Sequence, residues 1–471
     1  MKCYNYLRSF TYKGVSKIEA IKIDKSNLAL QIVCAVIILG ACFVSKSLVL
    51  VAGVASMAYM FSNAKWEQKF AFFMFMLSFS PIFKFNKDQT SLFMFLRLAT
   101  ILSYIFQYRE KFSFKFITIL IAFFAYSFVL SELYDTDYLV PLINIAMWTM
   151  LAYIIANTLK SDLATPVIRS LVNGVIVTGI IGLFINDIPA LKEQVNVLSV
   201  YGADGALVNR YAGFWVDPNF FTVLLIASIW FVYFEYNKKR INFGEFLFRC
   251  VVVSFIGLMT MSKSCILLLV AFWIYVIVSK NDIKTAPKVS ILFFMIFAVI
   301  IFLWKNPYWL SDMFYRFNKG EEQTTFNTVT TGRTDLWLEY AKRMLDDFSW
   351  ITGHGVYPEL FNIRGVEKGS HNTYIQMIYN FGLFGTTLYV MLFRNIYLTA
   401  KNRISAPMSI KKQPEKMALL SVLITMFFLD GIYIEMYYYM LPLTFVYLLK
   451  EKSNSDDEMS GNIRKKVALW H

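Results

Sequence analysis

Charged residues are scarce in this sequence. Asp, Glu, Lys and Arg make up 17% of the 471 residues, whereas 57% are hydrophobic and 18% are aromatic. A soluble domain carries about 25% charged and roughly 45–50% apolar residues. The low charge and the mean hydropathy of +0.51 argue against an ordinary soluble enzyme, because so much apolar surface needs lipid to contact.

Cysteine and histidine are also rare. The histidines are His354, His371 and His471, none has a cysteine nearby, and we predict no metal site. The cysteines lie mostly in or beside apolar runs, which indicates small buried hydrophobes and not a disulfide framework. They are Cys3, Cys34, Cys42, Cys250 and Cys265. No small-residue cleavage site follows the basic N-terminal stretch, which predicts an uncleaved first helix.

The charge that is present is mainly positive. Lys and Arg outnumber Asp and Glu by 46 to 32, giving a formal net charge of +14. A basic excess can serve nucleic-acid binding, but these cations are spread over short segments between apolar runs. That distribution is typical of membrane topology, so we predict no nucleic-acid partner.

Apolar runs long enough to cross a bilayer recur along the chain. A helix needs roughly 17–25 residues to cross about 30 Å of hydrocarbon, and in lipid its backbone must bond to itself. The sequence therefore predicts an all-α, polytopic transmembrane helical bundle of about 12–14 spans. The candidate spans lie near 28–45, 47–61, 69–84, 90–106, 114–131, 138–158, 167–185, 215–235, 247–261, 264–279, 288–304, 371–393, 417–433 and 437–449.

The distribution of Lys and Arg orients these spans. With both ends cytoplasmic, nearly all the short cation-rich segments fall on the inner side, and the acidic segment Glu132–Asp137 falls outside. The predicted parts are a basic cytoplasmic tail, transmembrane helices 1–11 with one outer loop, a large outer loop, the C-terminal transmembrane helices and a cytoplasmic tail. Their bounds are 1–27, 28–304 with the outer loop at 186–213, 305–370, 371–450 and 451–471.

The predicted outer loop at 305–370 is far longer than a connector needs. It carries several cations against the topological bias, and either an anionic ligand or a solvated loop on a basic protein accounts for them. Residues 333–347 have helical periodicity. We therefore expect a partly helical loop, lying along the membrane surface or packed on the bundle.

Four polar residues from distant parts of the chain map to the predicted outer face. Arg210 ends the first outer loop, Lys263 lies in a tight turn, Arg333 opens the predicted loop helix, and His371 precedes an apolar run. Three cations can neutralise a pyrophosphate, and a neutral imidazole at a helix start can act on a hydroxyl. Other roles stay open, with Lys263 snorkelling and His371 capping its helix.

Short motifs follow one another between about residues 205 and 395. They are Arg210…Gly213…Asp217-Pro218-Asn219-Phe220, Thr260-Met261-Ser262-Lys263, Gly332-Arg333…Trp337, Gly353-His354-Gly355, His371-Asn372-Thr373-Tyr374 and Asn380-Phe381-Gly382-Leu383-Phe384-Gly385. In order and spacing this set resembles the O-antigen ligase and polymerase superfamily of bacterial envelope glycan assembly. Lys263 stands where that family usually has arginine and offers a point charge in place of a two-pronged fork.

The resemblance implies a metal-independent glycosyltransferase without a cofactor, acting on undecaprenyl-pyrophosphate-linked glycan. It further implies the bacterial cytoplasmic (inner) membrane, an active face that is periplasmic or extracellular, membrane lipids as partners and, as a further partner, a chain-length regulator. We predict His371, Arg210 and Arg333 as catalytic residues, with the two arginines holding the pyrophosphate. We predict as substrate-binding residues Lys263, His354, Asn372, Asp217 and Asn219.

Three functions and a purely structural assembly role remain open. A polymerase extends the glycan on its carrier into O-antigen or capsular polysaccharide, and the divergent motifs and many aromatic residues favour it. A ligase moves the finished chain to lipid A core. A polysaccharide or lipid transporter would show an inverted repeat and paired charges inside its spans. Arg97 has no acidic partner in its own span, and we interpret Asp430 and Glu435 as candidate acceptor-site groups.

Overall fold

The structure is a computed structural model that describes most of the chain from residue 27 to residue 446. The undescribed positions in that range are 85–90, 109–111, 160, 189–190, 193–194, 196, 202–203, 206, 216, 279–287, 290–292, 294–299, 301–302, 305–306, 319–332, 357–360, 364–365, 404–412 and 430. Nearly all of the predicted N-terminal tail and the whole C-terminal tail lie outside the described residues.

The described part is mainly helical. Its helices are α1 (Asn27–Val44), α2 (Lys46–Met60), α3 (Trp66–Leu77), α4 (Phe93–Tyr108), α5 (Phe114–Leu133), α6 (Leu139–Thr158), α7 (Ser161–Gly182), α8 (Pro218–Asn237), α9 (Phe243–Met259), α10 (Lys263–Val278), α11 (Trp309–Asn318), α12 (Arg333–Asp346), α13 (Ser349–Thr352), α14 (Thr373–Arg403), α15 (Gln413–Thr425) and α16 (435–446). Six of them, α1, α5, α6, α7, α8 and α14, are long and apolar enough to cross a membrane. This confirms the predicted polytopic all-α membrane protein.

Burial distinguishes the centre of the bundle from its periphery. The apolar stretch of α8 is 83% buried, whereas those of α1 and α5 are 33% buried. On α5 the side chains of Ile121, Phe128 and Leu133 are 62%, 48% and 73% exposed. An apolar face of this kind would be unfavourable in water and suits contact with acyl chains.

Helices occur at thirteen of the fourteen predicted spans. The remaining span, 288–304, lies mostly outside the described residues. Two spans end as helices earlier than predicted. α3 stops at Leu77 before a 3₁₀ turn at Ser80–Ile82 that contains a proline, and α15 stops at Thr425 before the 3₁₀ turn Gly431–Tyr433. The apolar run continues through both turns, so hydropathy alone overestimated these helices.

Two small β-hairpins were not predicted. β1 (Leu198–Tyr201) pairs antiparallel with β2 (Leu207–Arg210), and β3 (Phe361–Ile363) pairs antiparallel with β4 (Val366–Lys368). Both lie in the segments predicted as outer loops. The first hairpin matters for the site, because β2 ends at a predicted catalytic residue.

Arg97 has an acidic partner on another helix. Its guanidinium donates to the carboxylate of Glu435 at the start of α16, to the Tyr439 hydroxyl at 3.1 Å and to the Asn144 side-chain oxygen at 2.9 Å. These bonds tie α4, α6 and α16 together and offset the desolvation of both charges. Because Glu435 pairs with Arg97, we no longer interpret it as an acceptor-site group. The sequence concealed the pair because its members are 338 residues apart.

Candidate functional site

Helix α14 is broken about three turns from its start. Gly382 has φ 59° and ψ −173°, a conformation open in practice to glycine alone. A Cβ at this position would lie 2.2 Å from the carbonyl oxygen of Ile351, so the turn after α13 packs directly into the break. Such a break leaves the preceding carbonyl groups of the helix without their usual donors.

The Gly353-His354-Gly355 turn supplies those donors. The His354 N–H donates to the carbonyls of Tyr379 at 3.0 Å and Asn380 at 3.1 Å, and the Gly355 N–H donates to Asn380 at 2.8 Å. Both glycines have positive φ, and a Cβ on Gly353 would lie 2.4 Å from the Asn380 oxygen. The two glycine motifs read from the sequence are thus a helix break and the cap that fits it.

The His354 side chain belongs to the same cap. It is 4% exposed, and its ring lies against those of Tyr134 and Tyr379, with Nδ1 3.1 Å from the Tyr379 oxygen and Nε2 2.9 Å from the Asp347 carboxylate. Although burial raises it, hydrogen bonds from Ser349 and His354 hold the pKa of Asp347 below its ordinary value. Because both ring nitrogens face protein acceptors, we do not carry His354 forward as a substrate ligand.

His371 lies in a tight turn directly before α14. Its φ of 50° is uncommon outside glycine, and the surrounding hydrogen bonds maintain it. The Ser370 N–H donates to Gln376 Oε1 at 3.3 Å, and the Ser370 hydroxyl donates to the Asn372 carbonyl at 2.9 Å. Asn372 caps α14, since its side-chain oxygen accepts from the Tyr374 N–H at 3.0 Å. The oxygen of this predicted substrate-binding residue is therefore already in use.

Helix α12 connects Arg333 to the His371 turn. Trp337 Nε1 donates to the carbonyl oxygen of Ser370 at 2.9 Å. Arg333 and Trp337 are four residues apart, so they share a helix face about 6 Å apart along the axis. The same side of α12 packs on α14 through Leu336, Tyr340 and Met344, around Tyr379.

The first hairpin brings Arg210 to the end of α9. Arg210 is 8% exposed, and its Nε donates to the Thr260 carbonyl at 3.2 Å. Burial lowers the pKa of Arg210, Asp217 counteracts the effect, and Arg333 adds to it. The Arg210 guanidinium is thus within electrostatic range of Asp217 and of Arg333, which lies 123 positions further along the chain.

Asp217 and Asn219 open α8 beside the turn that carries Lys263. The Asp217 carboxylate accepts from the Asn219 N–H at 2.7 Å, and Pro218 occupies the first helical position. Asn219 Oδ1 accepts from the Ser262 hydroxyl at 2.7 Å, and Lys263 directly follows as the first residue of α10. The Asn219 side-chain oxygen is therefore bonded to Ser262, and the Nδ2 amino group of Asn219 points in another direction.

These contacts define two groups at one end of the bundle. The hairpin group comprises Arg210, Asp217, Asn219 and Lys263; the helix group comprises Arg333, His371 and Asn372. Arg210 and Arg333 interact electrostatically, and this interaction relates the two groups. Among the described residues, no group of three or more His, Cys, Asp or Glu could hold a metal ion.

Comparison with known proteins identifies one segment of the chain. A family model described as O-antigen ligase matches residues 248–390. This segment is similar to the O-antigen ligase family. Together with the apolar helices, the match supports a multi-pass membrane protein of the O-antigen ligase and polymerase superfamily, whose members act on lipid-linked glycan. No curated protein and no solved structure matches the chain.

The matched segment covers the helix group and part of the hairpin group. Arg333, His371, Asn372 and Lys263 lie inside it, whereas Arg210 precedes it. The electrostatic interaction of Arg210 with Arg333 therefore relates the matched segment to the one before it.

Two supporting residues within the matched segment were missed from the sequence. Trp337 was recognised as part of a motif without a role, although its i, i+4 spacing from Arg333 predicts a shared helix face. Ser262 orients an amide 43 positions away, and no local pattern could have indicated that. Both residues hold candidate site residues in place, a role that their residue types do not indicate.

Proposed function

We propose that this protein is a glycosyltransferase that polymerises undecaprenyl-pyrophosphate-linked repeat units into O-antigen or capsular polysaccharide on the outer face of the cytoplasmic membrane. The observation that carries the proposal is the hydrogen bond from Trp337 to Ser370, which brings the helix face of Arg333 to the His371 turn, with Arg210 in electrostatic range of Arg333. The Lys and Arg distribution, which assigns this end to the outside, supports the orientation.

Electrostatics favour an anionic ligand between the two groups. A buried guanidinium next to a second cation is costly unless negative charge compensates both. Asp217 supplies one negative charge close to Arg210. A pyrophosphate would add negative charge between the two arginines and would accept paired hydrogen bonds from guanidinium groups. Lys263, at the start of α10, adds a third cation and a helix N-terminus.

The proposed reaction is a displacement at the anomeric carbon of the donor sugar. The His371 imidazole takes the proton of the acceptor hydroxyl, and the acceptor oxygen forms the new bond to C1. The bond from C1 to the pyrophosphate oxygen breaks, and the lipid pyrophosphate leaves with the electron pair. Arg210, Arg333 and Lys263 stabilise the charge that grows on it. Attack from the face opposite the leaving group inverts C1.

A ligase is the second candidate. The matching family model is described as O-antigen ligase, and the same residues would serve because both reactions displace a lipid pyrophosphate. Only the acceptor differs, since a ligase transfers the finished chain to lipid A core. A polymerase would also work with a chain-length regulator, which we include in the proposal.

A deletion strain distinguishes these functions by gel analysis of its surface and lipid-linked glycans. We expect single repeat units on the lipid carrier and no long surface chains. Long chains retained on the carrier would indicate a ligase instead. Purified protein that transfers glycan in detergent without an energy source rules out a transporter. Unchanged surface glycan in the deletion strain would contradict both enzyme candidates.

A further inference from the structure

Trp337 makes a contact that neither the resemblance nor the reaction requires. Its indole N–H donates to the carbonyl oxygen of Ser370 at 2.9 Å. Trp337 lies in the long loop between apolar runs, whereas Ser370 lies at the entrance to α14, 33 residues later. The bond therefore joins two segments that are far apart along the chain.

Ser370 has little freedom of its own. It is fully buried, its N–H donates to Gln376, and its hydroxyl donates to the Asn372 carbonyl and accepts from the Asn372 N–H at 3.2 Å. With the indole on its carbonyl oxygen, every polar group of Ser370 has a partner. The backbone position of the next residue, His371, is thus set by what holds Ser370.

The other end of this connection is Arg333. It lies one helical turn before Trp337 on the same face of α12. A rigid helix face thus holds a proposed pyrophosphate ligand at one point and the turn of the proposed base at the next. The separation of leaving group and base controls the rate of a displacement, because small misplacement of reacting groups is costly.

We propose that Trp337 is a positioning residue that sets the His371 imidazole relative to the pyrophosphate held by Arg333. The inference rests on the proposed function and adds a role for the indole N–H. Loss of that donor leaves the Ser370 carbonyl without its indole partner and lets the His371 turn shift. The donor glycan is still held by the arginines, so its binding stays nearly unchanged.

The test uses full-length protein in nanodiscs and, as substrate, lipid-linked oligosaccharide extracted from a strain that lacks the protein. Trp337→Phe keeps an aromatic ring and removes the N–H. We expect kcat to fall about three- to tenfold, the scale of one net hydrogen bond, and KM for the lipid-linked donor to change less than about twofold. The matched control is Trp350→Phe in α13, a tryptophan that is 38% exposed, for which both constants stay at the wild-type values.

A second measurement separates positioning from general damage. Trp337→Phe is combined with His371→Ala, and the residual transfer rate is compared with that of His371→Ala alone. If Trp337 acts through His371, the combined variant loses nothing further. An equal fold-loss in both backgrounds overturns the proposal, and so does a single variant with unchanged kcat. If Trp337→Phe does not fold, replacement by 3-benzothienylalanine removes the N–H with the ring size retained.

Failure of the inference is distinguishable from failure of the proposed function. If His371→Ala transfers glycan at the wild-type rate, the assignment of the base is wrong, and the positioning role is refuted with it. If His371→Ala abolishes transfer while Trp337→Phe matches wild type, only the positioning role is refuted.

Discussion

Replacing Gly382 by alanine perturbs the junction between the broken helix α14 and the turn that caps it. Alanine at φ 59°, ψ −173° costs about 1–3 kcal/mol in backbone strain. Its Cβ would lie 2.2 Å from the Ile351 oxygen and 2.5 Å from the Thr352 carbonyl carbon, so the turn must move away. Losing the hydrogen bonds from His354 and Gly355 adds about 0.5–1.5 kcal/mol for each. We therefore expect the free energy of unfolding to fall by about 2–6 kcal/mol.

The assay is SDS-induced unfolding of the purified protein in mixed micelles, followed by circular dichroism. The matched control is Gly40→Ala on α1, where an added Cβ would meet no atom within 4 Å. Alanine in a helix is better than glycine by up to about 1 kcal/mol, so this variant should be as stable as wild type or slightly more so. A Gly382→Ala protein within about 0.5 kcal/mol of wild type would refute the capped break.

Two further predictions concern charged groups. Glu435→Ala leaves the Arg97 guanidinium buried beside Tyr439 without its carboxylate partner, and we expect the free energy of unfolding to fall by about 3–5 kcal/mol. The double variant Arg97→Met with Glu435→Leu should recover most of this loss. A Glu435→Ala protein as stable as wild type would contradict the pair. The lowered pKa of Asp347 stabilises the folded protein at pH values above the unfolded-state pKa. This stabilisation is lost as the pH falls through the folded-state pKa. Below about pH 4 the melting temperature of wild type should therefore fall further than that of Asp347→Asn; parallel curves would show that the hydrogen bonds to Asp347 do not contribute.

The helices were predictable because lipid imposes a simple rule on the backbone. Apolar runs of sufficient length must be helices, and this holds for α5, α6 and α8 almost residue for residue. Hydropathy carries no information on where a helix breaks inside an apolar run. The turn after α3 contains a proline and the break in α14 lies at Gly382. Only these two residues could have indicated that the helices end or break there. The Arg97–Glu435 pair was beyond reach, since its members lie at opposite ends of the sequence.

The candidate site was predictable as a set of residues but not as an arrangement. Counting spans assigns a residue to one face or the other, and that placed Arg210, Lys263, Arg333 and His371 on the same side. Arg210 ends a β-hairpin that no periodicity indicated, and its electrostatic interaction with Arg333 could not be anticipated. His354 was predicted as a substrate-binding residue because it stands between two glycines, and no local pattern indicated that its N–H caps the break in α14.

The central claim is that Arg210 and Arg333 hold one pyrophosphate next to His371. Steady-state transfer kinetics of Arg210→Gln, Arg333→Gln and the double variant, in nanodiscs with lipid-linked oligosaccharide, test it most directly. Each single variant should lose about 10- to 150-fold in kcat/KM, the value of a charged hydrogen bond, and the double variant should lose less than the product of the two. Single variants with wild-type kcat/KM, or losses that multiply independently, would contradict a shared pyrophosphate site.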